Sequence, residues 1–154
     1  MSESQSDLTS AADRAIVTTR LIDAPRELVF KAWTDPGHLV HWWGPKGFTN
    51  TFQEFDLRPG GVWRFVMHGP DGRIYENQSV FVEIVKPERI VFHHLKPVHE
   101  FQVTATFAEQ AGKTELTWRM LFGSVAECDK VRRYVVEANE QNLDRLEAQL
   151  AKMA

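Results

Sequence analysis

The chain has 154 residues, a formal net charge of −3 at pH 7 and a hydrophobic fraction of 43%. That length suits one domain with a sizeable core, and the charge excludes a chain drawn as a whole to nucleic acid or anionic lipid. Cys128 is the single cysteine, which excludes an internal disulfide framework and a cysteine-built zinc site and fits a reducing, cytoplasmic setting.

The first 13 residues are polar and acidic, and they lack the basic start and the apolar run of a secretory signal. Such a composition buries too little apolar surface to offset the entropy of chain ordering. We therefore predict a disordered tail over residues 1–13 and a single domain over residues 14–154. No stretch reaches the ~18 apolar residues of a membrane-spanning helix, so no membrane span is expected.

A strand and two short helices are predicted next. Polar residues alternate with apolar and β-branched ones from Ala15 to Ile22, which is typical of a strand. Pro25 suits the first turn of a helix, and Asp23 is its expected cap. Apolar residues at helical spacing predict that helix over Arg26–Thr34. A proline and a glycine then interrupt the pattern, and a second short helix is expected from about His38 to Trp43.

After the second short helix, the period of the apolar residues changes from helical to two. Segments of this period are separated by short turns, which indicates an antiparallel meander. We predict six strands in it, over residues 48–57, 62–68, 73–85, 89–95, 100–108 and 114–122. With the first strand, the count is about seven, and the predicted sheet is one of about six to seven strands.

From Ala126 onward the sequence contains neither glycine nor proline, and apolar residues recur at steps of three and four. This spacing predicts one amphipathic helix, about 40 Å long at 1.5 Å per residue. Ser124 is its expected cap, with Glu127 as the partner in a capping box. To bury its apolar stripe, the helix must lie across a curved sheet. The predicted fold class is therefore α+β, with a curved antiparallel sheet wrapped around a long C-terminal helix.

Three segments match a known family. They are APRELVFKAWTDPGHLVHWWGP (residues 24–45), DLRPGGVWRFVMHGPDG (residues 56–72) and, more weakly, EIVKPERIVF (residues 83–92). On these segments the chain resembles the SRPBCC superfamily, also called START-like or birch-allergen-like, in the branch of the heat-shock-protein ATPase activator homologue. The resemblance implies the helix-grip fold. It leaves the activity open, because the superfamily includes lipid carriers, hormone receptors, cyclases and co-chaperone domains.

The chain departs from this family in two places. The eukaryotic co-chaperone joins this domain to another one that is absent here, so the resemblance does not carry ATPase activation over. Many relatives have a glycine and a tryptophan about where this chain has Asn139-Glu140 in the last helix. That difference changes the wall of any cavity beside the helix.

Aromatic residues give the strongest functional signal, since the chain has five tryptophans. Large rings at a sheet–helix interface either line a hollow for a ligand or fill the core, and both interpretations stay open. In the first interpretation the partner is a small apolar or aromatic molecule. Its candidate contacts are Trp42, Trp63, Phe65, Tyr75, Glu76, Gln78, Phe92, His94, Phe101, Trp118, Asn139 and Leu143.

The register of one hairpin decides which polar side chains face such a cavity. A regular hairpin over Gly69–Gly72 places Phe65 opposite Glu76 and turns both Glu76 and Gln78 inward. One bulge would reverse the register and bring Tyr75 inward instead. The sequence leaves these two registers open.

Motifs for catalysis are missing: there is neither a phosphate-binding glycine loop nor a serine in a nucleophile elbow. An enzyme of the cyclase or dehydratase type is nevertheless an alternative, with Glu76 and His94 as the candidate acid–base pair. His94 is expected inward because it alternates with Phe92. His38 and His41 lie three apart on a predicted helix without supporting ligands, so no metal site is predicted. No cofactor is expected.

A third interpretation is a co-chaperone-like interaction domain that works through its surface. Its candidate contacts are Trp42, Trp43 and Phe48 around the second short helix, provided that these rings form an exposed apolar patch. A chaperone partner belongs to this interpretation alone. The oligomeric state is open, a homodimer included, and no nucleic-acid partner is expected.

Overall fold

Seven strands form one antiparallel sheet in the computed structural model, which describes residues 11–154. The strands are β1 (Ala15–Ile22), β2 (Thr49–Phe55), β3 (Val62–His68), β4 (Ile74–Val85), β5 (Arg89–Lys96), β6 (Phe101–Gln110) and β7 (Lys113–Phe122). Their order in the sheet is β1-β7-β6-β5-β4-β3-β2. The strands from β2 to β7 are thus the predicted meander, and β1 pairs with β7 at one edge.

Residues 15–154 contain three helices, α1 (Arg26–Thr34), α2 (Pro36–Trp42) and α3 (Val125–Met153). The first two connect β1 at one edge of the sheet to β2 at the other. The long helix α3 contacts β1, β7 and both short helices. The α+β fold class, with a curved sheet and a long C-terminal helix, is confirmed.

The helix caps differ from the sequence-based prediction at one of the two predicted positions. Ser124 caps α3 as expected, because its Oγ accepts a hydrogen bond from the Glu127 backbone N–H at 3.1 Å. The cap predicted for α1 is wrong: Pro25 occupies that position and no side chain caps the helix. Asp35 instead caps α2, where its Oδ1 accepts from the Gly37 backbone N–H at 2.9 Å.

The predicted N-terminal tail falls mainly on residues 1–10, which lie outside the described residues. Residues 11–13 form a helical turn, and β1 begins at Ala15. The Arg132 guanidinium of α3 donates to the backbone carbonyls of Asp13 at 2.9 Å and of Ala15 at 3.2 Å. The start of the described chain is therefore held against α3.

A cluster of tryptophans joins the short helices to the sheet. The ring of Trp33 is edge-on to those of Trp42, Trp43 and Trp118, with centroid distances of 5.0, 5.6 and 5.6 Å. Trp43 continues the cluster to Trp63 on β3, at 5.3 Å. All five tryptophans therefore share one cluster. Some of its rings fill the core and others line a hollow, so each of the two interpretations of the aromatic residues applies to part of the cluster.

The β3–β4 hairpin contains one residue more than a regular hairpin. Gly72 has a φ of +86°, the left-handed conformation that a type I turn followed by a bulge requires. Its backbone N–H donates to the Gly69 carbonyl at 3.1 Å. Phe65 consequently pairs with Asn77. The hairpin thus has the bulged register of the two left open, and the pairing of Phe65 with Glu76 in a regular hairpin is wrong. This shift sets which face of β4 carries each side chain.

Candidate functional site

A cavity of about 440 Å³ lies between the sheet and α3, within the roughly 300–1,000 Å³ of small-molecule sites. Strands β3 to β7, the α2–β2 loop and α3 provide its walls. It is lined by Trp43, Gly44, Pro45, Phe48, Trp63, Phe65, Met67, Tyr75, Asn77, Ser79, Phe92, His94, Pro97, Phe101, Val103, Trp118, Met120, Tyr134, Val135, Ala138, Asn139 and Asn142. Rings and aliphatic chains dominate this surface.

Most of the predicted contact residues lie at this cavity. They are Trp63, Phe65, Tyr75, Phe92, His94, Phe101, Trp118 and Asn139. Each strand residue among them is at an alternate position of its strand, which is why sequence periodicity could identify them. Their role in binding a ligand stays a prediction.

Trp42 and Leu143 are not at the cavity. The ring of Trp42 is fully buried, and its Nε1 donates to the Ala32 carbonyl at 2.9 Å. The helix α2 ends at Trp42, and the extended backbone of Trp43 places the next ring in the cavity wall instead. Leu143 is fully buried in the core beyond the cavity.

Glu76 and Gln78 are also wrong as cavity residues. The bulge at Gly72 pairs Glu76 with Val66, and Glu76 is exposed. Gln78 pairs with Arg64 and is half-buried. Because neighbours on a strand alternate, the inward positions of β4 belong to the residues between them. Tyr75, Asn77 and Ser79 line the cavity there.

Three polar side chains form one cluster in the cavity wall. Ser79 of β4 is 1% exposed, and its Oγ lies 3.4 Å from Nδ1 of His94 on β5. The ring of His94 stacks on that of Phe101, with centroids 4.5 Å apart. Asn77, two residues from Ser79, donates from Nδ2 to the Tyr75 carbonyl at 3.0 Å. The sequence left both registers of this hairpin open, and for the bulged one Tyr75 alone was named, although Asn77 and Ser79 share its face.

Burial sets the charge of His94. It lowers the pKa of the imidazole from 6.5 to about 4, against a smaller raising effect of the Pro97 carbonyl. The ring is therefore neutral at pH 7. The proposed acid–base pair of His94 and Glu76 is wrong, because the carboxylate is exposed and does not line the cavity.

Two side chains of α3 fix the loop beside the cavity. Asn142 Nδ2 donates to the Trp42 carbonyl at 2.8 Å, and its Oδ1 accepts from the Gly44 backbone N–H at 3.2 Å. The Arg145 guanidinium donates to the carbonyl of Gly44 at 2.8 Å and to that of Pro45 at 3.0 Å. Asn142 is a polar residue within the apolar stripe of α3. That break in the pattern was the sequence feature that could have indicated its role in fixing the loop.

The mouth of the cavity is aromatic. Tyr134 of α3 lines the cavity and is still 62% exposed. Partial burial, with a contribution from Tyr75, raises the pKa of its phenol. Across from it, the rings of Phe48 and Tyr75 lie 6.2 Å apart. A molecule entering here would pass between β4, the α2–β2 loop and α3.

The apolar patch expected for a co-chaperone-like surface is not exposed. Trp42 and Trp43 are buried, at 0% and 9% exposure, and Phe48 is half-buried beside Tyr75. The second short helix uses these rings to pack onto the sheet. Of the described helices, none has the length and apolar character to span a membrane. Within residues 11–154, no three His, Cys, Asp or Glu side chains are grouped as metal ligands.

Comparisons with known proteins agree with this architecture. The sequence model described as "Activator of Hsp90 ATPase homolog 1-like protein" matches residues 23–151. No curated protein is significantly similar to the chain.

Solved structures of several bacterial proteins have the same fold. A Nitrosomonas europaea protein is 20% identical, with 93% of this chain and 97% of that chain covered and a TM-score of 0.84. A Rhodobacter sphaeroides protein is 24% identical, with 92% and 95% covered and a TM-score of 0.84. The AHSA1 protein of Silicibacter pomeroyi is 21% identical, with 91% and 99% covered and a TM-score of 0.75. At these identities the likeness concerns the fold alone.

Proposed function

The chain belongs to the family of Activator of Hsp90 ATPase homolog 1-like proteins, and from this premise we propose that it binds a small apolar or aromatic molecule between its sheet and α3. The family has the SRPBCC-type fold, which commonly binds hydrophobic ligands. Membership by itself does not select this function, because the fold serves several. The proposal therefore depends on the cavity.

The observation that carries the proposal is an apolar hollow of about 440 Å³ between the sheet and α3. Protein interiors are packed densely, with few voids larger than a water molecule. Leaving apolar walls unburied forgoes about 25 cal/mol per Å². A ligand that buries roughly 200 Å² of apolar surface would recover about 5 kcal/mol, before the cost of association.

The other two candidate functions lack such an observation. Among the residues that line the cavity in the described part of the chain, there is no carboxylate to act with His94. The rings expected to form a chaperone-binding patch are used in packing. A hydrophobic ligand site is thus the function that the arrangement supports best.

The proposal is tested by filling the cavity. Ala138 lines it from α3, so Ala138→Trp would place an indole where the ligand is expected. We expect naphthalene to bind the wild-type protein with a measurable dissociation constant by calorimetry, and at least about tenfold more weakly after the substitution, which corresponds to about 1.4 kcal/mol. Native mass spectrometry of protein purified from its own host would then look for a retained small molecule.

Val136 offers a matched control, because it lies two residues away on the same helix, is 47% exposed and does not line the cavity. Val136→Trp adds the same side chain outside the site and should leave naphthalene binding unchanged. Equal binding by the two variants, or no binding by the wild-type protein, would contradict the proposal.

A further inference from the structure

The cavity wall carries no charged side chain. Among the residues that line it in the described chain, there is no aspartate, glutamate, lysine or arginine. His94 is the one imidazole there, and burial keeps it neutral at pH 7. An ion entering this site would lose its hydration without meeting a counter-charge, which costs several kcal/mol.

Two polar side chains of the wall lie on adjacent strands, Ser79 on β4 and His94 on β5. Ser79 and His94 lie 3.4 Å apart from Oγ to Nδ1, and both are buried, at 1% and 8% exposure. A hydroxyl and a neutral imidazole can each donate and accept. At this length their mutual hydrogen bond is weak. The Ser79 hydroxyl therefore has capacity for a third partner, whereas the imidazole also interacts with the Pro97 carbonyl.

Asn77 adds a hydrogen-bond acceptor to the pair of Ser79 and His94. Its Nδ2 is engaged with the Tyr75 carbonyl at 3.0 Å, while within residues 11–154 no group donates to its Oδ1. The cluster of Asn77, Ser79 and His94 can therefore receive an oxygen that both donates and accepts, such as a hydroxyl. Beside it, the rings of Trp63, Phe92 and Phe101 provide apolar walls.

Aromatic faces can also attract a cation, but the arrangement of the rings disfavours this. Trp63 and Phe65 lie nearly parallel, at 26° with centroids 4.6 Å apart, so one face of Trp63 is already covered. His94 and Phe101 cover each other in the same way, at 21° and 4.5 Å. The ring edges, which carry the positive side of the quadrupole, take part in several of the other contacts.

We propose that the cavity selects uncharged aromatic molecules bearing a hydroxyl or carbonyl oxygen, which the cluster of Asn77, Ser79 and His94 receives by hydrogen bonding. This rests on the proposed function and deepens it from apolar binding to a ligand class. The rings bind the ligand's apolar body. The polar cluster selects its orientation, and the neutral wall excludes anions and cations of the same shape.

Four naphthalenes of closely related shape test the proposal by calorimetry at pH 7: naphthalene, 2-naphthol, 2-naphthoate and 2-naphthyltrimethylammonium. We expect 2-naphthol to bind the tightest, about three- to tenfold tighter than naphthalene, as one added hydrogen bond allows. The carboxylate and the ammonium compound should each bind at least about 100-fold more weakly than 2-naphthol, given the cost of burying an unpaired charge. Equal or tighter binding of either ion would overturn the proposal.

Substitutions test whether the preference for 2-naphthol comes from the cluster of Asn77, Ser79 and His94. Ser79→Ala should bring the ratio of the 2-naphthol affinity to the naphthalene affinity close to one. His94→Phe, which keeps a ring against Phe101, should do the same. Thr104→Val is the matched control, because Thr104 lies on β6 outside the cavity lining and the change also deletes one hydroxyl.

The outcomes separate this proposal from the preceding one. If naphthalene binds and the preference for 2-naphthol survives both cluster variants, the cavity stands as a ligand site and the assignment of its polar end fails. If none of the four compounds binds the wild-type protein, the proposed ligand-binding function itself is contradicted, and the proposed ligand class with it.

Discussion

At the scale of single residues, the candidate site depends on which side chains β4 turns inward. The inner positions carry Asn77 and Ser79, groups that hydrogen-bond without a charge, whereas Glu76 faces outward. Burial of His94 beside Ser79 keeps the imidazole neutral. The polar groups that face the site are therefore uncharged, because desolvation penalises any charged form inside it.

His94 makes the stability of the protein depend on pH. The pKa of His94 is about 4 in the folded protein, against an ordinary 6.5, so between these values the unfolded chain binds more protons than the folded one. Stability is therefore complete above pH 6.5 and falls as the pH drops to about 4. The shift corresponds to a loss on the order of 3 kcal/mol.

Urea denaturation at pH 7 and pH 4.5 measures this contribution. We expect wild-type protein to lose more unfolding free energy between the two pH values than His94→Gln, which cannot take up the proton. His41→Gln, a change at an exposed histidine, should behave as the wild type does. An equal acid loss in wild type and His94→Gln would show that His94 is not the group responsible.

At the scale of elements, ion pairs attach the second half of α3 to the edge strand β1. Arg20 of β1 donates to Glu140 at 2.6 Å, to Asp144 at 2.8 Å and to Glu147 at 3.2 Å. These three carboxylates lie on one face of α3 at helical spacing. Burial opposes the charge on Arg20, but the hydrogen bonds to Glu140 and Asp144, together with the charges of Asp144 and Glu147, raise its pKa. One guanidinium thus joins the edge strand to two turns of the helix.

Replacing Arg20 should destabilise the protein. Arg20→Met removes three hydrogen-bonded ion pairs and leaves neighbouring carboxylates to repel each other, and we expect a loss of about 1–2 kcal/mol in chemical denaturation. The loss should shrink in 1 M salt, because salt screens pairs whose carboxylates are accessible to solvent, and the side chains of Glu140, Asp144 and Glu147 are 50%, 70% and 45% exposed. Arg58→Met is the control: its pair with Asp56 is on the surface, with 75% of the Arg58 side chain exposed. A loss of the same size for both variants would contradict a special role for Arg20.

At the scale of the whole molecule, the protein has a packed end and a hollow end. In the second half of α3 the buried residues include Leu143, Leu146 and Leu150, while in the half before Asn139 the one buried residue is Cys128. The cavity lies beneath the first half, where Tyr134 and its neighbours line it. Since local stability follows buried contacts, the hollow end should open more readily than the packed end.

Hydrogen exchange followed by mass spectrometry tests this division. We expect backbone amides over residues 128–138 to exchange faster than those over residues 139–150, and to be slowed when 2-naphthol is bound. The fragment Arg26–Thr34, α1 at the packed end, is the internal reference and should not respond to the ligand. Uniform protection along α3 would show that the cavity does not weaken its first half.

Much of the fold is a consequence of local patterns. β1, α1 and β3 have the bounds predicted from sequence, and the other predicted elements were located within a few residues. Their apolar periods match the geometry of the strand or helix that they form. The aromatic wall was predictable for the same reason, because Trp63, Phe92 and Trp118 occupy inward positions that alternation identifies.

The polar half of the site was decided by tertiary structure. One left-handed glycine, Gly72, changes the register of β4 by a residue and so exchanges Glu76 for Asn77 at the inner face. The sequence by itself determined that a curved sheet would close on a long helix and that large rings would lie between them. Only the assembled structure decided which rings fill the core, which leave a hollow and which polar groups face it, because strand register and ring packing depend on contacts between segments distant in sequence.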